Sequence, residues 1–490
     1  MNLGMPNLWM FFIFMPLLGM CVGSFINVVI WRLPFSGQKV SYRGKTGRLS
    51  LSWPPSHCPH CNKTVRWHEN IPVISWLILR GRCSGCNQRI SLRYPLVELG
   101  TGIIFLALFI AYYLTGWYGN QFRNMAHGGP TLVLDLVYVS VLLAASGIDA
   151  DWFIIPLRLP WLVIMAAVVS CAAGVQPMLP SLPAHSAFAR AALGGTAGLI
   201  AAVIFLRLRL IPRSFSAPPD GKLAENPPPA ESLSAPQSAD QFVAPPQLRR
   251  RPIVPAVIII LAAQAPLWLF ASHKIAVLLL LVSGILCFFL GVLPRPADTA
   301  ESNDLAEEIL DESAAPNARH EIFKELLFVL PILILGATAV FIPFPLPASP
   351  VFCRLYGTLL GLLAGGGIVW IFRIGGTLVL GRVAMGLGDV HLMAAVGAVL
   401  GAPLAIIAFF IAPFAALIWV IILKIMHRPN VLPFGPWLSV AGILALLIGP
   451  PVQGWYANQL FPPVHQRPIK TGRVMWPGDN PAADRPHKSP

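Results

Sequence analysis

Asp389 closes the run Met385-Gly386-Leu387-Gly388-Asp389 and opens a stretch that is otherwise almost purely apolar. A carboxylate at the edge of a bilayer core is expensive, so it marks a functional site with a partner to be found. The sequence offers Asp149, in Ser146-Gly147-Ile148-Asp149-Ala150-Asp151-Trp152, where one apolar run ends and the next begins. Paired carboxylates suit the hydrolysis of an amide. One takes a proton from water while the other, protonated, hydrogen-bonds the scissile carbonyl oxygen. Two close carboxylates supply that mixed state because the pair shares a proton. Gly386 and Gly388 would let an extended substrate backbone pass where a side chain would block it. Asp151 is an alternative to Asp149, and either aspartate could instead be a polar helix cap packed in the bundle.

The cysteines carry a second chemistry. Of eight, four form Cys58-Pro59-His60-Cys61 and Cys83-Ser84-Gly85-Cys86, separated by residues 62 to 82, 21 in all. Each pair can put two thiolates on one ion through a tight turn, and four sulfurs close a tetrahedral structural zinc site. The interval lies just beyond the usual zinc spacing of about 15 to 20 residues. A disulfide framework is disfavoured because the surrounding loop reads as cytoplasmic, where thiols stay reduced. His57 and His60 are alternative ligands. Cys21, Cys171, Cys287 and Cys353 fall in apolar runs and read as small packing residues.

The elements that position these groups follow from composition. The chain has 490 residues, 56% of them hydrophobic and 11% charged, with a mean hydropathy of +0.67. Soluble domains carry about 25% charged residues, so the chain reads as an all-α polytopic membrane protein with a small cytoplasmic zinc-binding loop domain. Apolar runs occupy residues 8 to 30, 96 to 115, 131 to 149, 153 to 174, 188 to 211, 252 to 272, 274 to 293, 323 to 345, 353 to 373, 389 to 402, 403 to 424 and 434 to 450. At about 20 residues per span they predict roughly twelve transmembrane helices, the 389 to 402 run being short. The first run should stay as a helix, since no Lys or Arg precedes it as in a signal peptide.

Basic residues near span ends set the orientation. The loop from 31 to 95 holds eleven Lys and Arg, from Arg32 to Arg93, against the single acid Glu69. It is therefore cytoplasmic, and Asp149 and Asp389 fall on that same face. The net charge of +14 needs only this topology and contact with anionic lipid, and nucleic-acid binding is not indicated. Residues 214 to 251, rich in Pro, Ser, Ala and Gln, and the acidic 294 to 321 read as linkers with too little apolar content for a core. The domains expected are 1–30, first transmembrane helix; 31–95, zinc loop; 96–211, helices carrying the first aspartate; 212–352, an inserted region; 353–450, helices carrying the second; and 451–490, a Pro-rich tail. The glycines at 193 to 198 echo those at 360 to 367 and read as helix packing through small residues.

Five ordered motifs carry a resemblance. Gly19 to Pro34 reads GMCVGSFINVVIWRLP, and the cysteine loop continues into Glu69-Asn70-Ile71-Pro72-Val73-Ile74-Ser75-Trp76-Leu77, Arg80-Gly81-Arg82-Cys83 and Ser91-Leu92-Arg93-Tyr94-Pro95-Leu96-Val97-Glu98. Asp149 stands seven residues before Pro156, Asp389 ends Gly-x-Gly-Asp, and Val431-Leu432-Pro433-Phe434-Gly435-Pro436-Trp437 follows. Together they resemble the bacterial type IV prepilin peptidases, which are bifunctional leader peptidases and N-methyltransferases. The resemblance covers roughly residues 1 to 160 and 353 to 445. It implies an aspartic endopeptidase of the bacterial inner membrane, with Asp149 and Asp389 catalytic, that removes the basic leader of prepilins or pseudopilins of type IV pili and type II secretion. It also implies methyl transfer from S-adenosylmethionine to the new amino terminus, with Glu69, Arg93 and Glu98 as candidates for that half and Zn2+ as a structural ion. Each of those three could equally sit in a structural ion pair.

Three departures stand out. Leu157 replaces the usual Asp or Asn, His391 replaces the usual Lys, and the interval between the aspartates is long. The insertion must contribute an even number of spans to return Asp389 to the cytoplasmic face, and four satisfy this. The other readings are a degenerate family member serving as a secretion or pilus assembly scaffold, and a membrane transporter, since intramembrane carboxylates also line ion pathways.

Overall fold

A bilayer gives a backbone no water to bond, so an apolar run of span length must satisfy its amides internally as helix. The computed structural model describes residues 8–43, 45–115, 117–118, 125–172, 181–212, 273–292, 318–342, 344–425 and 433–460. Helix α1 (Leu8–Arg32) leads into a hairpin of β1 (Lys39–Tyr42) and β2 (Lys45–Arg48), paired antiparallel with Lys39 opposite Arg48. A 3-10 turn (Trp67–Asn70) and the short α2 (Ile74–Ile78) complete the loop domain. The bundle continues with α3 (Arg93–Tyr113), α4 (Met125–Trp152), α5 (Arg158–Ala172), α6 (Ala187–Arg207), α7 (His273–Val292), α8 (Ala318–Phe341), α9 (Pro350–Leu380), α10 (Leu387–Leu400), α11 (Ala402–Ile425) and α12 (Gly435–Leu460).

Among the described residues seven helices are long and apolar enough to cross a membrane: α1, α3, α4, α6, α8, α9 and α11. Shorter apolar helices occur within α5, α7, α10 and α12. The expected run at 252 to 272, the linkers at 214 to 251 and most of 294 to 321, and the tail beyond residue 460 lie outside the described residues. One boundary moves. The apolar run at 153 to 174 becomes helical only at Arg158, because Phe153 takes a left-handed φ of 52° and Pro156 disfavours a helical residue before it. Outward faces of the long helices stay apolar: Leu333 is 62% exposed and Ile334 50% on α8, Phe414 68% and Ile418 62% on α11. That is the surface a hydrocarbon solvent requires.

Glycine allows the helices to approach. A Cβ on Gly19 of α1 would lie 2.7 Å from Gly102 Cα of α3, and one on Gly100 of α3 would lie 2.6 Å from the Phe288 nitrogen of α7. Gly194 and Gly198 of α6 meet the Leu335 and Pro331 carbonyls of α8, while Gly361 of α9 and Gly397 of α10 each meet the other's carbonyl. Both glycine runs are therefore helix-packing seams, as their small residues indicated. Helices α1, α3 and α7 form one side of the bundle; α6, α8, α9, α10 and α11 form the other. Helices α4 and α5 join them, α4 through α1, α3 and α7, and α5 through α9 and α10.

Candidate active site and metal centre

The carboxylates of Asp149 and Asp389 come together where that junction meets the start of α12. Asp149 lies near the C-terminal end of α4 and is 7% exposed. Its Oδ2 accepts a hydrogen bond of 2.9 Å from the N–H of Gly435, the first residue of α12. Asp389 sits in the first turn of α10, is 8% exposed, and accepts the Gly386 N–H on Oδ2 at 3.3 Å. Each carboxylate thus takes an amide that a helix start leaves unpaired. Ile155, in the unwound link between α4 and α5, touches both halves: a Cβ on Gly388 would lie 2.8 Å from Ile155 Cβ, and one on Gly435 would lie 3.1 Å from Ile155 Cδ1.

The room beside Gly388 is thus filled by Ile155, an intramolecular reason for glycine there. Gly386 is exposed and supplies its N–H to Asp389. Asp151 is engaged elsewhere. It receives both terminal nitrogens of Arg93, Nη1 to Oδ1 at 2.8 Å and Nη2 to Oδ2 at 2.5 Å, while the guanidinium lies over the Trp31 ring. At the two positions that depart from the resemblance, Leu157 is 47% exposed, and His391 Nδ1 lies 2.9 Å from the Leu387 carbonyl one turn back.

The four loop cysteines converge. Cys58 Sγ lies 3.7 Å from Cys86 Sγ, Cys61 Sγ lies 3.9 Å from Cys83 Sγ, and all four sulfurs fall within 4.8 Å of one another. A tetrahedral site with Zn–S bonds of about 2.3 Å requires sulfurs about 3.8 Å apart, so the donors fit a zinc ion. Two matching knuckles build the site. In one the Asn62 N–H bonds the Cys58 carbonyl and the Cys58 N–H bonds Lys63; in the other Asn87 bonds Cys83 and Cys83 bonds Gln88. Asn62 and Asn87 both adopt left-handed φ, 53° and 61°, which asparagine tolerates better than most residues. His57 turns away, with Nδ1 2.9 Å from the Pro55 carbonyl and its ring against Tyr42.

Glu69 ties the knuckles to each other. Its carboxylate accepts the Arg66 N–H at 3.0 Å, the Ser84 hydroxyl at 2.6 Å and Lys63 Nζ at 3.3 Å. The Arg66 amide above all, then the Ser84 hydroxyl and Lys63, pull its pKa down to about 2. Glu98, at the start of α3, accepts the Val73 N–H at 2.7 Å and so holds the loop domain to the bundle. Between loop and bundle lies a cavity of about 630 Å³ lined in part by Asn27, Trp31, Glu69, Trp76 and Glu98. It lies within the range of about 300–1,000 Å³ used for small-molecule sites. Asn27 Oδ1 and Trp31 Nε1 are buried in its wall with no hydrogen-bond partner, and buried polar atoms of that kind call for a ligand or water. Arg93 does not line this cavity; Glu69 and Glu98 do.

Sequence reasoning passed over three polar features. Gly435 was legible only as part of a motif, not as the amide that holds Asp149. Asp135 is 2% exposed on α4 and accepts the Tyr112 hydroxyl at 2.5 Å, in a cluster of buried tyrosines. It stands 14 residues before Asp149, about 21 Å along the helix. Glu325 and Arg373 form a buried ion pair between α8 and α9.

Residues 17–112 match the family model described as the Bacterial Peptidase A24 N-terminal domain. That stretch runs from α1 through the cysteine loop into α3, and both aspartates lie beyond it. A type 4 prepilin-like proteins leader peptide-processing enzyme of Escherichia coli O78:H11 (strain H10407 / ETEC) is 41% identical over 142 residues, 27% of this chain and 46% of the relative. A prepilin leader peptidase/N-methyltransferase of Myxococcus xanthus (strain DK1622) is 42% identical over 150 residues, 31% of this chain and 37% of the relative. One of Klebsiella pneumoniae is 39% identical over 151 residues, 31% of this chain and 57% of the relative. The chain spans about half the length of the curated relatives it matches. No solved structure matches it.

Proposed function

We propose that the protein is an aspartic endopeptidase of the bacterial inner membrane. It removes the leader of type IV prepilin-like proteins at the cytoplasmic face and then methylates the new amino terminus. The observation that carries the peptidase half is the meeting of two buried carboxylates from Asp149 and Asp389, each held by a helix-start amide. One carboxylate takes a proton from water as its oxygen attacks the scissile carbonyl carbon, and the other, protonated, donates a hydrogen bond to the carbonyl oxygen. The C–N bond then breaks, and the leaving nitrogen receives the proton taken from water. Burial keeps the pair in a low-dielectric setting where such hydrogen bonds are strong. The substrate is a single apolar helix with a polar leader, which fits a site at the end of a helical bundle.

The methyltransferase half is carried by the cavity beneath the cysteine loop and by the names of the relatives. When bound, S-adenosylmethionine would supply an electrophilic methyl group to the unprotonated amino terminus, leaving as S-adenosylhomocysteine with loss of a proton from nitrogen. Asn27, Trp31 and Glu98 offer the polar contacts that would hold it, and Glu69 keeps the loop closed over the site. Zinc on Cys58, Cys61, Cys83 and Cys86 is structural and fixes that loop.

Membranes containing the protein, presented with a leader-bearing prepilin, test the reading. The parent trims the leader, and Asp149→Asn and Asp389→Asn at normal abundance each abolish trimming. Equal cleavage by all three would remove the dyad; prepilin binding without cleavage by the parent would favour a scaffold.

A further inference from the structure

Among the described residues, α8 of the inserted region reaches the turn that carries Asp389 through an ion pair. Glu325 of α8 and Arg373 of α9 are each 4% exposed. Arg373 Nη2 donates to Glu325 Oε1 at 2.7 Å and Nε donates to Oε2 at 3.0 Å, while Trp370 Nε1 donates to Oε2 at 3.1 Å. The remaining arm of the guanidinium, Nη1, donates to the carbonyl oxygen of Met385. Met385 directly precedes Gly386, whose N–H holds Asp389. The same turn is tied to α9 a second time, by the Ala384 N–H on Thr377 Oγ1 at 3.1 Å.

We propose that Glu325 and Arg373 are positioning residues: the inserted helix α8 orients Arg373, and Arg373 fixes the turn that presents Asp389. This inference rests on the reading of Asp149 and Asp389 as the catalytic pair. Docking of α8 does not need a charge. Gly194 and Gly198 of α6 already seat α8 by backbone contact at Pro331 and Leu335, and a buried ion pair is often no more stabilising than apolar residues of similar volume. What the pair adds is direction. A guanidinium presents its N–H groups in a rigid planar fork, so a carboxylate on one edge determines where the other edge points. Here the other edge points at the one carbonyl that leads into the Gly-x-Gly-Asp turn. An insertion that served only as a spacer would have no reason to bury an acid at that place.

The test uses the full-length protein in membranes with a prepilin substrate, and hydrogen–deuterium exchange of the solubilised protein. Glu325→Gln should lower kcat for leader removal by about tenfold to a hundredfold, the loss expected when a reacting group is misplaced by about 1 Å, with KM changed less than about twofold. Amide exchange over residues 382–389 should rise about tenfold, as expected of a locally loosened segment, while that of the cysteine loop stays the same. The reciprocal exchange, Glu325→Arg with Arg373→Glu, restores an ion pair but sets a carboxylate against the Met385 carbonyl. Cleavage should stay low in it, and recovery to the parental rate would mean that only helix docking matters. If Glu325→Gln does not accumulate, Arg373→Lys answers the same question, since an ammonium cannot reach both partners. Unchanged kcat and unchanged exchange at 382–389 overturn the inference. If the parent cleaves no prepilin, the peptidase reading fails, and exchange at 382–389 decides the inference alone.

Discussion

Adding one methyl group at Gly435 perturbs the proposed dyad without touching either carboxylate. A Cβ there would lie 2.6 Å from Asp149 Oδ2, 3.0 Å from its Cγ and 3.1 Å from Ile155 Cδ1, whereas ordinary contact begins at 3.4 Å. The Asp149 carboxylate must therefore retreat by about 0.8 Å. In doing so it lengthens its 2.9 Å bond from the Gly435 amide. Misplacement near 1 Å costs about a hundredfold in rate, equivalent to about 2.7 kcal/mol at 1.36 kcal/mol per tenfold. Overpacking costs about 1–3 kcal/mol in stability, so Gly435→Ala should accumulate less than the parent yet remain folded. Gly367→Ala is the matched control, because nothing lies within 4 Å of the added atom in the middle of α9 and alanine there improves helix propensity. The assay is initial-rate leader removal from prepilin, normalised to folded protein. A Gly435→Ala enzyme that cleaves within about threefold of the parent, a loss of less than about 0.7 kcal/mol, would refute the claim that this amide sets the working position of Asp149.

Zinc removal by a strong chelator, or Cys83→Ser, should release one zinc per chain by atomic emission and abolish methyl transfer to pre-cleaved pilin before leader removal is lost, since an ion on the four cysteines would close the loop and not the dyad. Glu98→Gln should reduce methyl transfer by tenfold or more, each factor of ten being about 1.4 kcal/mol, and leave leader removal near the parental rate; equal loss of both would contradict a separate cavity for the methyl donor. Asp151→Asn leaves Arg93 buried without its counter-ion. Breaking buried pairs costs about 3–5 kcal/mol, and because Asp151 keeps 17% side-chain exposure the low end is expected, read as reduced thermal stability in detergent. Glu69 has a folded pKa of about 2, below its unfolded value of about 4.3. Its brace is thus fully present above about pH 4.3 and fades as pH falls toward 2. Cysteine-loop exchange in Glu69→Gln should therefore exceed that of the parent by a constant factor from pH 8 to 5.

How much of this was legible in the sequence depended on range. The two Cys-x-x-Cys pairs could be read directly, because four thiols with two knuckle turns leave few other arrangements. Asp149 and Asp389 could be singled out because each stands where an apolar run ends or begins, and an acid at the edge of a bilayer core needs a reason. Glu325 and Asp135 are also acids within apolar runs, yet nothing local sets them apart, and Glu325 stands next to Lys324 near the start of its run. Its partner Arg373 is 48 residues away in sequence, and only the packing of α8 on α9 reveals the match. Gly435 had no legible role because its importance is an amide, which every non-proline residue possesses; the distinguishing feature is the carboxylate arriving 286 positions from it. Arg93 and Asp151 show the opposite limit. Two plausible site residues chose each other, which no local pattern could disclose.

The distance along the chain between the aspartates has a consequence in time. Asp149 leaves the ribosome 240 residues ahead of Asp389, and at about 5–20 residues per second that gap lasts about 12 to 48 s. Through this interval the first carboxylate, the cysteine loop and helices α1 to α3 are already made, while the second carboxylate and the Gly435 amide do not yet exist. The proposed pair is completed only once α10 and the start of α12 have been made, so on that reading hydrolysis is withheld from every chain that ends before Gly435 by the order of synthesis itself.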